Sequence, residues 1–318
     1  MTRHSSIARA VSLLVYLCCT IISAAQDTLT ITLTGDILLD RGVRRYIQKA
    51  GIDSLFTPEI DSIFAHSDIV VGNLECPATN LRTPAMKQFV FRANPEWLND
   101  LHRHDITHLN LANNHSVDQR RGGLRSTYDN CLRAGIVPLG AGHTMAEASE
   151  PVLLSPPSTF NPPPSTLHHV YLFATQQLPL ENFPYLPDSF SVSQESIDTL
   201  CQRVSCLRKA DPTAYIIVCP HWGIEHVTTP TPWQRRHARA LIDAGADIIV
   251  GHHSHTLQTV EEYNGKPIFY SIGNFIFDQT NPINTTAAIV QIKIVSTSVE
   301  VKTIPIEIRH CVPYLFQP

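Results

Sequence analysis

The chain is short of positive charge: 24 Lys and Arg stand against 28 Asp and Glu in 318 residues, a net charge of −4. A nucleic-acid groove needs clustered basic side chains to displace counterions, so this balance argues against such a partner. Long apolar runs are missing too. No stretch of roughly 20 residues is both apolar and uncharged, which leaves no clear spanning helix. Eight cysteines are present, but with no C-x-x-C pair and no dense framework, and a chain this long can fold without staples. There is no G-x-S-x-G elbow and no P-loop lysine pattern, which removes serine-hydrolase and NTPase readings. With 43% hydrophobic and 16% charged residues, the composition suits a globular body with a real core.

The first 25 residues read as an export signal. Arg3, His4 and Arg9 form a basic start, an apolar run follows from Ala10 to Ile22, and Ser23-Ala24-Ala25 supplies small residues for cleavage after Ala25. An uncleaved anchor is the alternative. Without this segment the balance becomes 22 basic against 28 acidic residues, a net of −6. Export places residues 26–318 at the cell surface or in the periplasm, as a single domain in an oxidising compartment. Cys131 and Cys219 fall on apolar faces and read as buried thiols, whereas Cys201 and Cys206 could pair across a loop.

Six prolines between Pro151 and Pro164 mark a surface loop between two halves, each of which alternates strand and helix. In the first half, strands are expected at 28–34, 68–71 and 106–111. Helices follow at 94–101, started by Asn94-Pro95, and around Leu124, Tyr128, Cys131 and Leu132. In the second half, strands are expected at 215–219, 247–250 and 268–272, with a helix burying Trp233, Ala240, Leu241 and Ala244. Residues 287–308 read as a closing β-hairpin.

Histidine stands out, with 16 in the chain. Five segments carry groups able to bind metal or move protons: Asp36, Glu75, Asn114-His115, His221, and His253 with His255. Each follows the carboxyl end of an expected buried strand, the edge where the loops of an α/β sheet converge on a ligand. The layout therefore points to one site assembled from distant parts of the chain. Two carboxylates, an amide oxygen and three imidazoles form a mixed N/O set without thiolate. That set suits one or two divalent ions such as Mn, Zn or Fe in a hydrolytic site. Two cations about 4 Å apart would clamp the attacking and leaving oxygens. Asn114 could offer its carbonyl to metal while His115 protonates a leaving group.

Six motifs in order carry a family resemblance. They are Gly35-Asp36, Gly72-Asn73-Leu74-Glu75, Asn113-Asn114-His115, His221-Trp222-Gly223-Ile224-Glu225, Gly251-His252-His253-Ser254-His255 and Tyr270-Ser271-Ile272-Gly273-Asn274-Phe275. Over roughly residues 29 to 280 the chain resembles the bacterial capsule-synthesis CapA family, associated with poly-γ-glutamate capsules and similar to calcineurin-like metallophosphoesterases. The resemblance implies a four-layer α-β-β-α sandwich. It also implies metal ligands at Asp36, Asn114, His221, His253 and His255, with His115 as the acid. Two departures from the phosphoesterase pattern stand out. Leu38 replaces a histidine, and Asn73 takes the place of a bridging aspartate with Glu75 nearby; both changes are shared with the CapA-like pattern.

Several positions have two readings. Glu225 could orient a metal ligand, act as a catalytic acid/base group or form an ordinary salt bridge. Arg41 could meet an anionic substrate or form a surface ion pair. Asn73 is a candidate for substrate contact; Asn274 reads as bonding backbone around the site, with substrate contact as the alternative. His252 is expected to face away from its neighbours. His102, His104 and His108 form either a metal patch or a solvated face, and His168-His169 read as an exposed edge. The implied function is metal-dependent hydrolysis of an anionic cell-envelope polymer or its precursor, with membrane-associated capsule machinery as a further partner. The rival is a non-catalytic polymer-binding or assembly protein on the same fold.

Overall fold

A computed structural model describes residues 28–154, 169–186, 188–295 and 298–316. The expected signal and most of the proline-rich segment lie outside the described residues. In the first half the strands are β1 (Thr28–Ile37), β2 (Ile69–Leu74), β3 (His108–Asn110), β4 (Val137–Leu139), β5 (Ala141–Gly142) and β6 (Val152–Leu154). The second half holds β7 (Val170–Gln176), β8 (Ser191–Val192), β9 (Tyr215–His221), β10 (Ile248–Val250), β11 (Val260–Tyr263) and β12 (Lys266–Phe269). It ends with β13 (Asn274–Ile276), β14 (Thr286–Val295), β15 (Ser298–Arg309) and β16 (Val312–Leu315). The helices are α1 (Arg41–Ala50), α2 (Pro58–Ala65), α3 (Trp97–Arg103), α4 (Arg120–Arg133), α5 (Met145–Ala148), α6 (Ile197–Ala210), α7 (Pro232–Asp243) and α8 (Pro282–Thr285).

Two sheets carry the architecture. One runs β16-β15-β14-β1-β2-β3-β4, with β13 also paired to β1; the other runs β11-β12-β10-β9-β7-β6. Strand alternation makes the layers. Leu29, Ile31 and Leu33 of β1 and Val290, Ile292 and Ile294 of β14 face Tyr215, Ile217 and Cys219 of β9, closing a core between the sheets. The opposite faces of the same strands meet helices. Ala287 and Ile289 pack among Val43, Ile47, Ile60 and Leu98, while Ile216 and Val218 pack on Leu200, Val204 and Leu241. The result is the expected four-layer α-β-β-α sandwich.

Several local expectations are corrected. Residues 152–154 are not loop: Val-Leu-Leu precedes the densest prolines and pairs antiparallel with β7 as the strand β6. His169 precedes β7, which lies between β6 and β9 rather than at an edge; its ring pairs with Asp211 at 2.7 Å. The closing hairpin of β14 and β15 gains a third strand, β16. A further hairpin joins β11 to β12 through Asn264-Gly265, both at positive φ, as an Asn-Gly turn favours. α7 buries Gln234, Ala238, Leu241 and Ile242 and leaves Trp233 exposed. Gln234 can go inside because its amide completes a capping box with Thr231. α4 buries Gly123, Leu124, Thr127 and Cys131, while Leu132 is exposed.

Cys201 and Cys206 share α6, about 140° apart around its axis, and remain free, so no loop pairing occurs. Burial pushes the Cys131 thiol up to about 12, and those of Cys76 and Cys219 upward as well. Thiolates are the reacting form. Iodoacetamide followed by peptide mass spectrometry should therefore label exposed Cys206 first and reach Cys76, Cys131 and Cys219 only after denaturation. Early labelling of those three would contradict the packing.

Candidate metal centre

The strand register brings the motif residues to one edge. Asp36 near the end of β1 lies beside Asn73 of β2 and Asn274 of β13, and Asn73 lies beside Asn110 of β3. On the second sheet, His221 ends β9 and bridges to His252, just past β10. Two glycines permit the approach. A Cβ on Gly35 would sit 2.1 Å from the Gly273 carbonyl oxygen, and one on Gly251 would sit 2.2 Å from that of Tyr270. Neither position has room for a side chain, which explains Gly before both Asp36 and His252. His253 and His255 hold φ of 92° and 55°. Non-glycine residues rarely adopt the left-handed region, and here it aims two imidazoles inward.

Asp36, Glu75 and His221 are buried, and each offers a ligand atom within 4.8 Å of the others'. Asn114 joins them, its Oδ1 lying 2.8 Å from His221 Nε2. His255 sits between the carboxylates, with Nδ1 3.1 Å from Asp36 Oδ2 and Nε2 3.6 Å from Glu75 Oε2. The His253 ring centroid is 4.9 Å from that of His221. All six residues expected as ligands thus meet in one cluster.

Burial and close neighbours set the charge states within the cluster. Burial opposes charge on Asp36, yet the close imidazoles of His252 and His255 hold its carboxyl well below the usual range. Burial and the negative Asp36 drive Glu75 well above its usual value. Burial would lower His255, but Glu75 and Asp36 raise it to about 9. His221 is pushed well down by burial and by His253, and His253 falls to about 3 for want of solvent and because of His255. Glu75 Oε2 and His253 Nδ1 are buried without hydrogen-bond partners, and Asp36 Oδ2 meets the His255 ring at 3.1 Å. Such groups normally find partners. Two buried carboxylates together with the neutral imidazoles of His221 and His253 fit a divalent cation with N/O preference.

His115 stands at the edge of this cluster, its ring 4.4 Å from that of Phe91. Its Nδ1 donates to Asp118 Oδ2 at 2.9 Å, while Asp118 Oδ1 lies 2.5 Å from Lys87 Nζ, both buried. Burial lowers the His115 pKa and Asp118 pushes it back up.

Asn73 takes a place other than the one expected, and Asn274, Arg41 and Glu225 each take one of the places open to them. Asn73 is fully buried beneath the cluster, where its amide nitrogen donates to Asp36 Oδ1 at 2.8 Å and lies 3.3 Å from His221 Nδ1. It bridges candidate ligands as a neutral donor and is not open to substrate. Asn274, also buried, accepts from His255 Nδ1 at 2.9 Å and so fixes which nitrogen faces Glu75. Arg41 forms a two-pronged ion pair with Asp278. Glu225 lies on the rim with its side chain 46% exposed, its nearest ionic neighbour His226 at 3.8 Å. Leu38 is buried in the helix-side core, away from the ligands.

Sequence reasoning missed three members. His252 does not face away: its Nδ1 is 3.2 Å from Asp36 Oδ1, because the bridge to His221 turns it toward β1. Asp118 had a signal, lying three residues after His115 within one turn. Lys87 had none, since a segment with no regular element carries it in. The cluster of His102, His104 and His108 dissolves: His104 stacks on Phe56 and pairs with Asp61, whereas His108 is buried in β3.

Residues 30–279 match the family described as bacterial capsule synthesis protein PGA_cap. The chain is 32% identical over 293 residues to the PGA biosynthesis protein CapA of Bacillus subtilis, covering 91% of this chain and 74% of that protein. It is also 32% identical over 272 residues to the capsule biosynthesis protein CapA of Bacillus anthracis, covering 84% of this chain and 64% of that one. The calcineurin-like phosphoesterase YfkN from Bacillus subtilis aligns with 87% of this chain and 90% of that chain at 12% identity, with a TM-score of 0.46.

Proposed function

Because the chain belongs to the bacterial capsule synthesis protein PGA_cap family, we propose that it serves capsule synthesis through a metal-dependent hydrolase site acting on an anionic envelope polymer or its precursor. One observation carries the reading: Asp36, Glu75 and His221, from two different sheets, offer ligand atoms within 4.8 Å of one another. With Asn114, His253 and His255 they would hold one or two divalent ions, Mn, Zn or Fe by donor type. Such an ion, when bound, polarises the scissile group and makes a water more acidic.

The protein's own groups do the rest. Asp36 and Glu75 supply negative charge, and neutral His221 and His253 keep lone pairs for coordination. His115, with Nδ1 engaged by Asp118, has Nε2 available to pass a proton to the leaving atom of a phosphoester or amide. Glu225 at the rim is a second acid/base candidate, and Arg41 would meet an anionic group by exchanging Asp278 for it. In this reading the protein is exported and works with membrane-associated capsule machinery. Among the described residues no helix is long and apolar enough to cross a membrane.

The test is metal content together with turnover. Purified protein incubated with Mn, Zn or Fe should retain at least one equivalent and hydrolyse a phosphoester or γ-glutamyl amide in a chelator-sensitive way. Failure to retain any cation would overturn the reading. Retention without turnover on either bond would support the second reading, a polymer-holding assembly protein. Leu38 and Asn73 favour that alternative, since they remove an imidazole and a bridging charge.

A further inference from the structure

α1 carries Arg41, Arg44, Arg45 and Lys49 and no acidic residue. It starts at the rim of the centre, capped by Asp40, four residues after Asp36. The Arg41 guanidinium lies 5.3 Å from the Phe91 ring centroid and 5.7 Å from that of Phe277. Those two rings in turn pack on His115 at 4.4 Å and His255 at 4.6 Å. The basic helix therefore leads outward from the candidate metal ligands across a single layer of aromatic side chains.

A cleft flanks α1 on each side. One, of about 520 Å³, is lined by Arg44, Arg82 and Arg92, with Asp40 as its only carboxylate. Asp40 is already used: Oδ1 accepts from Arg44 Nε and the Arg41 amide, each at 2.8 Å, and Oδ2 accepts from the Arg92 amide at 2.8 Å. Among the described residues the Arg92 guanidinium donates to the Thr79 carbonyl at 3.0 Å and forms no ion pair. Burial and the neighbouring Arg44 and Arg82 lower its pKa, the mark of crowded like charges. The other cleft, of about 350 Å³, is lined by Arg45, Lys49 and His310. Its carboxylate, Asp278, is taken by Arg41. Among the described residues Arg82, Arg45 and Lys49 form no ion pair.

A chain with net negative charge thus concentrates unneutralised cations in two clefts beside one short helix. Guanidinium forks match planar carboxylates two bonds at a time. α1 is about 15 Å long; a γ-linked glutamate puts two more atoms in the main chain than an α-linked residue and extends to about 6 Å, so the helix spans roughly two to three residues of such a chain. We infer that α1 and its two clefts form a binding track for a linear polycarboxylate, of which a γ-linked glutamate chain is the type, and deliver that chain to the metal centre. This inference rests on the anionic-polymer reading above and specifies the surface that holds the polymer.

The test uses chelator-treated full-length chain, so that binding is separated from metal and turnover. Fluorescence anisotropy with labelled poly-γ-glutamate should show binding in about 10 mM salt that weakens strongly at 150 mM, as screening shortens from about 30 to 8 Å. The triple variant Arg82→Ser/Arg45→Ser/Lys49→Ser removes only exposed, unpaired cations and should fold. It should bind about tenfold or more weakly, since each exposed charge contact is worth up to about fivefold. The control Lys293→Ser/Lys302→Ser, on the distant β14–β15 ladder, should change binding by less than about twofold. Three results would overturn the inference: affinity of the triple variant within about twofold of wild type, equal weakening by the control pair, or tighter binding of polyphosphate than of polyglutamate. Intact polyglutamate binding in a protein that retains no cation would leave the track standing and remove the hydrolase reading alone.

Discussion

Asp36→Asn will abolish the thermal stabilisation that a divalent cation confers on the wild-type chain. The side chains are nearly the same size, so the substitution tests charge and ligation rather than packing. In the native cluster Asp36 accepts from Asn73 and lies within 3.2 Å of both His252 and His255. An amide at this position cannot supply the anionic oxygen a hard cation needs. The substitution also removes the Coulomb repulsion that raises Glu75, so the metal-free variant should fold. Ligand at a hundred times its dissociation constant adds about 2.7 kcal/mol to stability. At about 2–4 °C per kcal/mol for a chain of this size, the wild-type melting temperature should rise on the order of 5–10 °C. Asp36→Asn and His221→Ala should show no rise, and equilibrium dialysis should find no bound ion. A rise in Asp36→Asn equal to that of wild type would remove Asp36 from the centre.

Much of that centre is legible in the sequence because a parallel strand end is a local signal. An apolar run followed by Gly-Asp, Asn-Leu-Glu or His-Trp-Gly marks both the strand and the edge at which it stops. The register then follows from pairing, which sets Asp36 beside Asn73 and Asn274. Side-chain direction is harder to read. His252, His253 and His255 all turn toward the cluster even though they do not alternate as an extended chain would, because two of the three occupy the left-handed region. No spacing rule announces that. Asn274 takes the backbone-bonding role its motif suggests, donating to the Asn284 carbonyl, while only the fold shows that its amide oxygen is spent on His255. Helix faces shifted where a polar residue had a hidden partner, as Gln234 does in its capping box. Lys87 entered the site from a segment without periodicity, where sequence patterns carry no information about direction.

The second large effect is expected at His115, and it depends on the leaving group. If His115 protonates the departing atom, His115→Ala should slow hydrolysis of an unactivated alkyl ester or amide by about 10²–10⁴-fold. A p-nitrophenyl or p-nitroanilide analogue of the same bond leaves with less need of a proton, so the loss there should be much smaller. A merely structural histidine would slow both substrates alike, and equal losses would therefore refute the acid assignment. Asp118 is the less clean target. Its carboxylate serves His115, the buried Lys87 ammonium and the Phe91 amide together. Asp118→Asn strands a buried cation, and breaking such a pair costs about 3–5 kcal/mol. Its activity loss would then mix folding with chemistry. Pairing Asp118→Asn with Lys87→Met removes the stranded charge. In that background, the leaving-group dependence reports whether His115 still works once Nδ1 has lost its carboxylate. The double variant should keep a residual difference between the two leaving groups, smaller than that of wild type. Asp118 would then be a positioning residue that holds the ring and favours its protonated form, while the proton itself moves from Nε2.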